Sequence, residues 1–262
     1  MRFAARSLIK KPGFTVVAIV TLALGIGAST AIFSVLEAVL LRPLPYPQQE
    51  RIVELRELNE NGRGMPFAEP NFVDLKARSR SFEALAQYGV WPEAVAGGSE
   101  PVRTTVSSAS SEFFRVLGVR PVLGRVFAAE SGAPDLHVAV VSHGFWKRML
   151  GAQTNLDGLA LRFSNRSFSV IGVLPADAGF PPEVDVWYPR ELQPSEGSRT
   201  AHNWRVAGRL KPGVSLAQAQ AEVAAIGRQL KAEHGTSTDA ASFGATPLRE
   251  RMVKDVRGIL WV

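Results

Sequence analysis

Ser142 and His143 are adjacent, and a hydroxyl beside an imidazole is the pairing from which nucleophilic acyl transfer is built. Adjacency along a chain does not set triad geometry, and Ser142 stands equally well as the cap of a helix carrying Phe145, Trp146, Met149 and Leu150. Asp74, Glu83, Glu112 and Asp185 are the acids that could pair for proton transfer, or be solvated residues of helix starts and turns. His137, His143, His202 and His234 show no metal-ligand spacing. The chain has no cysteine, which excludes thiolate zinc sites, redox CxxC pairs, disulfides and cysteine nucleophiles. It also lacks a GxxxxGK[ST] loop, a G-x-S-x-G elbow, an H-E-x-x-H pair and an EF-hand loop. An ATPase of the P-loop type is thereby excluded, and no catalytic, cofactor-binding or metal-binding residue is assigned.

The elements that would position these residues read as mixed α and β. Residues 51–58 (RIVELREL) and 102–108 predict strands. Residues 71–88 open on Asn71 as a helix cap and carry Phe72, Leu75, Phe82, Leu85 and Ala86, which predicts one helix or two short ones. Residues 112–117 predict a short helix closed by Gly118. The run HVAVV at 137–141 predicts a buried strand delivering the chain to Ser142, with Gly151 ending the helix that follows. Residues 159–163 and 168–174 predict a hairpin around Ser164, Asn165 and Arg166. Residues 204–210 predict a strand before the Lys211-Pro212-Gly213 turn. Ser215 and Gln218 then form a capping box for a helix with Leu216, Ala219, Val223, Ile226 and Leu230 on one stripe, stopped by Gly235. Trp91, Trp146, Trp187 and Trp204 are expected in or near the core. Strands and helices intermix without regular alternation, so the fold class is α+β.

The chain has 262 residues, 46% of them hydrophobic, and 30 Lys and Arg against 24 Asp and Glu, for a net charge of +6. Arg2, Arg6, Lys10 and Lys11 place four of those bases, and no acid, in the first 13 residues, leaving 26 bases against 24 acids elsewhere. A nearly neutral body without basic runs among aromatics excludes a nucleic-acid partner. The local excess has a local cause. Residues 14–36 (FTVVAIVTLALGIGASTAIFSVL) contain 23 consecutive uncharged positions. As a helix they span about 34 Å, enough for a hydrocarbon core of about 30 Å. A core helix would show a polar stripe, and a signal peptide would end near the small residues at 28–31 instead of continuing apolar past them. These features predict a cytoplasmic basic segment over 1–13, a transmembrane helix over 14–41 in the lipid bilayer, and an outer domain over 42–255. Gly25, Gly27, Ala28 and Ser29 make a small-residue patch where another helix could pack, although glycine is common in membrane helices generally. Pro43, Pro45 and Pro47 favour an extended exit from the bilayer. The apolar run at 256–262, with Trp261, predicts either the start of a second transmembrane helix or a short strand.

Residues 2–47, above all RSLIKKPGFTVVAIVTLALGIGASTAIFSV and AVLLRPLPYP, are similar to the N-terminus of MacB/FtsX-type ABC transporter permeases, in particular the duplicated orphan permeases of acidobacterial type. The similarity continues in order through EPNFVDLKARSRSFEALAQYG, FFRVLGVRPVLGRVF, VAVVSHGFWKRMLG, FSVIGVLP, DVWYP, RVAGRLKPGVSLAQAQAE and PLRERMV. It implies a MacB-like periplasmic core domain, with a mixed α/β porter part built from early and late segments and an inserted lobe at about 110–195. It further implies a bacterial inner-membrane permease subunit of a transporter or efflux system, with the N-terminus cytoplasmic and the main domain periplasmic. Such a subunit works as a homodimer or permease dimer, couples a separate cytoplasmic ABC ATPase to periplasmic conformational change, and contacts a periplasmic adaptor. No catalytic role transfers. Ser29 and Glu37 stand where Asn is more usual, and Asn165-Arg166 replaces an Asn-Gly turn. Members of the family carry at least three further membrane helices, so the resemblance implies an N-terminal portion not competent for transport alone. The same residues also admit a single-pass, membrane-anchored periplasmic binding or sensing protein; an anchored hydrolase has no motif in its favour.

Overall fold

The computed structural model describes residues 12–36, 44–97, 100–128, 136–195 and 197–252. One unit holds the N-terminal helix and the other is Leu44–Met252. The helix, α1, covers Pro12–Leu36, 25 residues with no acid in its first turn and no base in its last. Pro12 suits the first helical position, where its missing N–H is not needed. Val17, Leu24 and Ile26 of this helix are each more than 60% exposed. Over the described side chains alone no helix is long and apolar enough to cross a membrane; those at 12, 14, 18 and 31–36 of α1 lie outside that description. Arg2, Arg6, Lys10, Lys11 and the 256–262 run with Trp261 also lie outside the described residues.

The second unit is built on one twisted mixed sheet. In chain order its elements are β1 (Ile52–Leu58), β2 (Gly64–Met65), α2 (Glu69–Arg78), β3 (Phe82–Val95), β4 (Val102–Ala109), α3 (Phe113–Leu117), β5 (Leu123–Gly124), β6 (Val138–Val141), α4 (His143–Met149), β7 (Ala160–Phe163), β8 (Arg166–Val173), β9 (Val184–Pro189), β10 (Arg205–Leu210), α5 (Leu216–His234) and β11 (Ser242–Pro247). The order across the sheet is β11-β1-β10-β3-β4-β9-β6-β8-β5, with β2 on β1 and β7 on β8. The β4–β9 and β6–β8 pairs are parallel. Residues 82–88 of β3 pair with β10, while 88–95 pair with β4. Two half-sheets therefore share this strand and meet at Tyr88, which is opposite both Arg205 and Ala109.

Three apolar clusters cover the faces. Helices α2 and α5 bury Phe72, Leu75, Val223 and Leu230 against Val53, Leu55 and Val206 on one face of the first half-sheet. On the other face α3 supplies Phe113, Phe114, Val116 and Leu117 to a cluster reaching Ile52 and Ala207 in one half and Val140 and Trp187 in the other. The remaining face of the second half-sheet packs Phe145 of α4 with Val106, Val141, Leu161 and Phe168.

Most local expectations hold. The Ser215–Gln218 capping box forms in both directions and α5 ends at Gly235. Gly118 closes α3 with φ 68°, and the Ser142 hydroxyl caps α4 by accepting from the Phe145 N–H at 3.0 Å. The hairpin turns on Ser164 and Asn165, both with positive φ, so Arg166 is already in β8. The exception is 71–88. Helix α2 stops at Arg78, and Phe82 onward is strand β3. Both faces of β3 are covered, Ala84 and Ala86 entering one cluster and Phe82 and Leu85 another. With apolar residues on both faces, Phe82, Leu85 and Ala86 satisfy a helical spacing by accident. Asn71 caps nothing: Ala68 is at the cap position, Pro70 follows in the first turn, and the Asn71 side chain is buried.

Candidate functional site

The residues with catalytic potential are dispersed. The Ser142 hydroxyl donates to Asp185 Oδ1 at 2.6 Å, while the His143 ring turns to Trp146, with centroids 5.3 Å apart. The four acids are not paired with one another. Asp185 accepts from Thr104 and Arg148 as well as Ser142, Asp74 from Arg199, Glu83 from Arg51, and Glu112 lies 3.5 Å from Arg115. The first three tie separate segments together, while Glu112 stays within its own helical turn. Among the described residues no group of three or more His, Asp or Glu is placed to hold a metal ion. On α1, Gly25 and Ser29 line one shallow groove with Thr21, Leu22, Ile26 and Thr30. Gly27, about 200° round the helix from Gly25, and Ala28 are not part of that groove.

The concentrated chemistry is a set of buried charges in and around β1. Arg209, 5% exposed, donates through Nε to the Val116 carbonyl at 2.8 Å and through both terminal nitrogens to the Pro47 carbonyl at 3.1 Å. Burial first, and Arg51 second, push its guanidinium below the ordinary value. Arg51 donates to the Leu210 carbonyl and pairs with Glu83. Segment 44–51, which leads into β1, is thus fastened to α3, β3 and β10. At the far end of the unit, Arg251 Nε lies 2.8 Å from the buried Glu54 Oε2 of β1. Burial raises the Glu54 carboxyl above its usual range, opposed by Arg251, Arg56 and Arg205. Tyr46, Ile52 and Leu248 belong to one apolar cluster. The incoming and outgoing segments of the unit therefore converge on the same strand.

The other face of β1 carries Glu57, whose side chain is fully buried. Its Oε1 accepts from the Ala68 N–H and from Asn71 Nδ2, both at 2.9 Å. Its Oε2 is 3.2 Å from His202 Nδ1, whose ring reaches Asp239 at 3.4 Å on the other side. Burial, aided by Asp239, pushes the Glu57 carboxyl up to about 7 against the pull of those hydrogen bonds and His202. Between the half-sheets, the buried Arg190 pairs with Glu69 at 2.8 Å and stacks 4.1 Å from the Trp204 ring.

Of these residues the sequence singled out Glu83 as a candidate acid, Asn71 as a helix cap and Trp204 for the core, but not Arg51, Glu54, Glu57, Glu69, Arg190, Arg209 or Arg251. The signal was present in β1 and β10, where Glu54, Glu57 and Arg209 stand among apolar residues on strands buried on both faces, alongside the less buried Arg56 and Arg205. A charge in such a strand must be paired or hydrogen-bonded, and its partners are the residues to seek. They come from distant segments, so spacing does not reveal them.

A family model for the MacB-like periplasmic core domain matches residues 15–226. No curated protein matches the chain. Among solved structures, a domain of a protein described as a permease from Porphyromonas gingivalis is similar at 16% identity and TM-score 0.61, over 78% of this chain and 93% of that one. The periplasmic region of MacB from Actinobacillus actinomycetemcomitans is similar at 15% identity and TM-score 0.56, over 79% and 92%. The extracellular domain of the noncanonic ABC-type transporter YknZ from Gram-positive bacteria is similar at 18% and 0.54, over 74% and 99%. At these identities the likeness is one of fold.

Proposed function

The chain belongs to the MacB-like periplasmic core domain family, and from that premise we propose that it is the permease part of an ABC-type transporter that relays movement between the membrane and the periplasm. In this reading α1 crosses the inner membrane, with Arg2, Arg6, Lys10 and Lys11 on the cytoplasmic side, and 44–252 works outside. ATP is hydrolysed by a separate cytoplasmic subunit, and the permease acts as a dimer that engages a periplasmic adaptor. The porter part is the half-sheet of β1, β10 and β11 with α2 and α5. The inserted lobe, at about 110–195, carries β6, β8 and β9 and joins the rest of the sheet through β4.

The observation that supports this reading is the convergence of 44–51 and 248–252 on the paired strands β1 and β10: 44–51 runs straight into β1 and is tied to β10 by Arg209 and Arg51, and 248–252 is tied to β1 by the Arg251–Glu54 pair. Displacement of either segment is imposed directly on the strand at the centre of the porter sheet. The cysteine-free chain permits a clean topology test. With Ser7→Cys and Ser195→Cys made singly, a membrane-impermeant maleimide should label only the second in intact spheroplasts. Equal labelling of both, or release of the chain by alkaline extraction, overturns the membrane arrangement. Complexes purified through this chain from native membranes should hydrolyse ATP, and the chain alone should not; a chain found without any ATPase would favour the anchored sensor instead.

A further inference from the structure

Arg209 lines a cavity of about 760 Å³ in the second unit, together with Arg51, Arg115 and Arg120. Glu83 and Asp177 also line it; with Arg51 engaged by Glu83 and Arg115 by Glu112, Arg209 and Arg120 stand against Asp177, which leaves the wall an excess of positive charge. The buried guanidinium of Arg209 is bonded to backbone carbonyls only. Arg120 is exposed and makes no ion pair among the described residues. A buried cation satisfied by dipoles, without a carboxylate in contact, stands to gain from an anion more than a surface arginine does. The rest of the lining includes Phe114, Val119 and Phe127, a hydrocarbon wall beside the charged one. Guanidinium forks match the oxygens of a phosphate-type head, and the aromatic wall suits an alkyl chain of a few carbons.

We propose that this cavity binds an amphiphilic anion, with a phosphate-type head toward Arg209 and Arg120 and a hydrocarbon chain against Phe114, Val119 and Phe127. The ligand is either a membrane phospholipid or a free amphiphile, since both present the same head and tail. Pro47, whose carbonyl Arg209 holds, lines the same cavity. A bound head therefore competes with the contact that fastens the incoming segment. The site does not depend on the transport reading, because binding is measured without any ATPase.

The test is calorimetric titration of the full chain in nonionic maltoside micelles with hexyl phosphate, against inorganic phosphate, hexanol and hexyltrimethylammonium. Saturable one-to-one binding of hexyl phosphate, about tenfold tighter than any of the three controls, is expected. Arg209→Gln and Arg120→Ser should each weaken it by about fivefold or more. Should Arg209→Gln fail to fold, the exposed Arg120 decides alone. Equal binding of hexanol or the cation, equal binding of inorganic phosphate, or undiminished binding by Arg120→Ser overturns the proposal. Repeating the titration in phosphatidylglycerol nanodiscs assigns the source: a lipid ligand removes the hexyl phosphate signal, and a free amphiphile leaves it intact.

Discussion

At the scale of single residues, Glu57 is the group whose behaviour is most directly measurable. A carboxyl that titrates higher when folded than when unfolded favours folding while protonated. Its contribution is therefore complete below its ordinary 4.5 and declines as pH rises to about 7. Glu57→Gln keeps acceptors for Ala68 and Asn71 and removes the titration. Denaturant midpoints across pH 4.5 to 7.5 should fall with pH in the unaltered chain and run flatter in the variant, which gains about 1–3 kcal/mol at neutral pH. Parallel pH curves for the two proteins would sink this account. Arg190 is the opposite case: Arg190→Leu breaks its buried pair with Glu69 and its stacking on Trp204 and should cost about 3–5 kcal/mol in a chemical-denaturation experiment. A loss no larger than that of an exposed arginine would remove its bridging role. Neither group was legible beforehand, since Glu57 meets Ala68 and Asn71 from one other stretch of chain and His202 from a second, with Asp239 beyond His202 from a third.

At the scale of elements, what could be read was whatever a segment decides by itself. Capping at Ser142 and Ser215, closure at Gly118 and Gly235, and the 164–165 turn are local chemistry. What could not be read was set by cover from elsewhere. Phe82–Val95 is a strand because neighbours bury both its faces, and β9 and β11 passed unnoticed because their pairing partners are remote in sequence. The hairpin offers a direct measurement. Ser164 and Asn165 both hold positive φ, at 48° and 57°, where Asn followed by Gly is preferred. Installing Ser164→Asn with Asn165→Gly should raise stability by up to about 1 kcal/mol, read as a higher thermal midpoint. The contact of α5 with β11 is stricter. A Cβ on Gly227 would come within 2.5 Å of the Phe243 backbone nitrogen. Gly227→Ala must lift the helix off the strand, at a cost of about 1–3 kcal/mol despite alanine's better helix propensity. A thermal midpoint at or above that of the parent chain would contradict the close approach.

At the scale of the whole molecule, the outer unit has two ladders and one shared strand. Hydrogen exchange should resolve them: amides of β6 and β8 are expected to open with a different free energy from those of β1 and β10, with β3 following whichever half is more protected. A single opening energy across all these strands would mean the sheet behaves as one body. The shared strand also limits what kind of motion can pass. Its registers on either side are locked by backbone bonds at 82–88 and 88–95, so the halves cannot slide past one another without breaking a ladder. They can twist about the strand's own axis or bend at Tyr88. β3 thus works as a crankshaft: seven residues on one side of Tyr88 make an arm of roughly 23 Å, and a bend of about 10° at the bearing moves its tip by roughly 4 Å. A small angular input at one end of such a shaft emerges as a displacement the size of a side chain at the other.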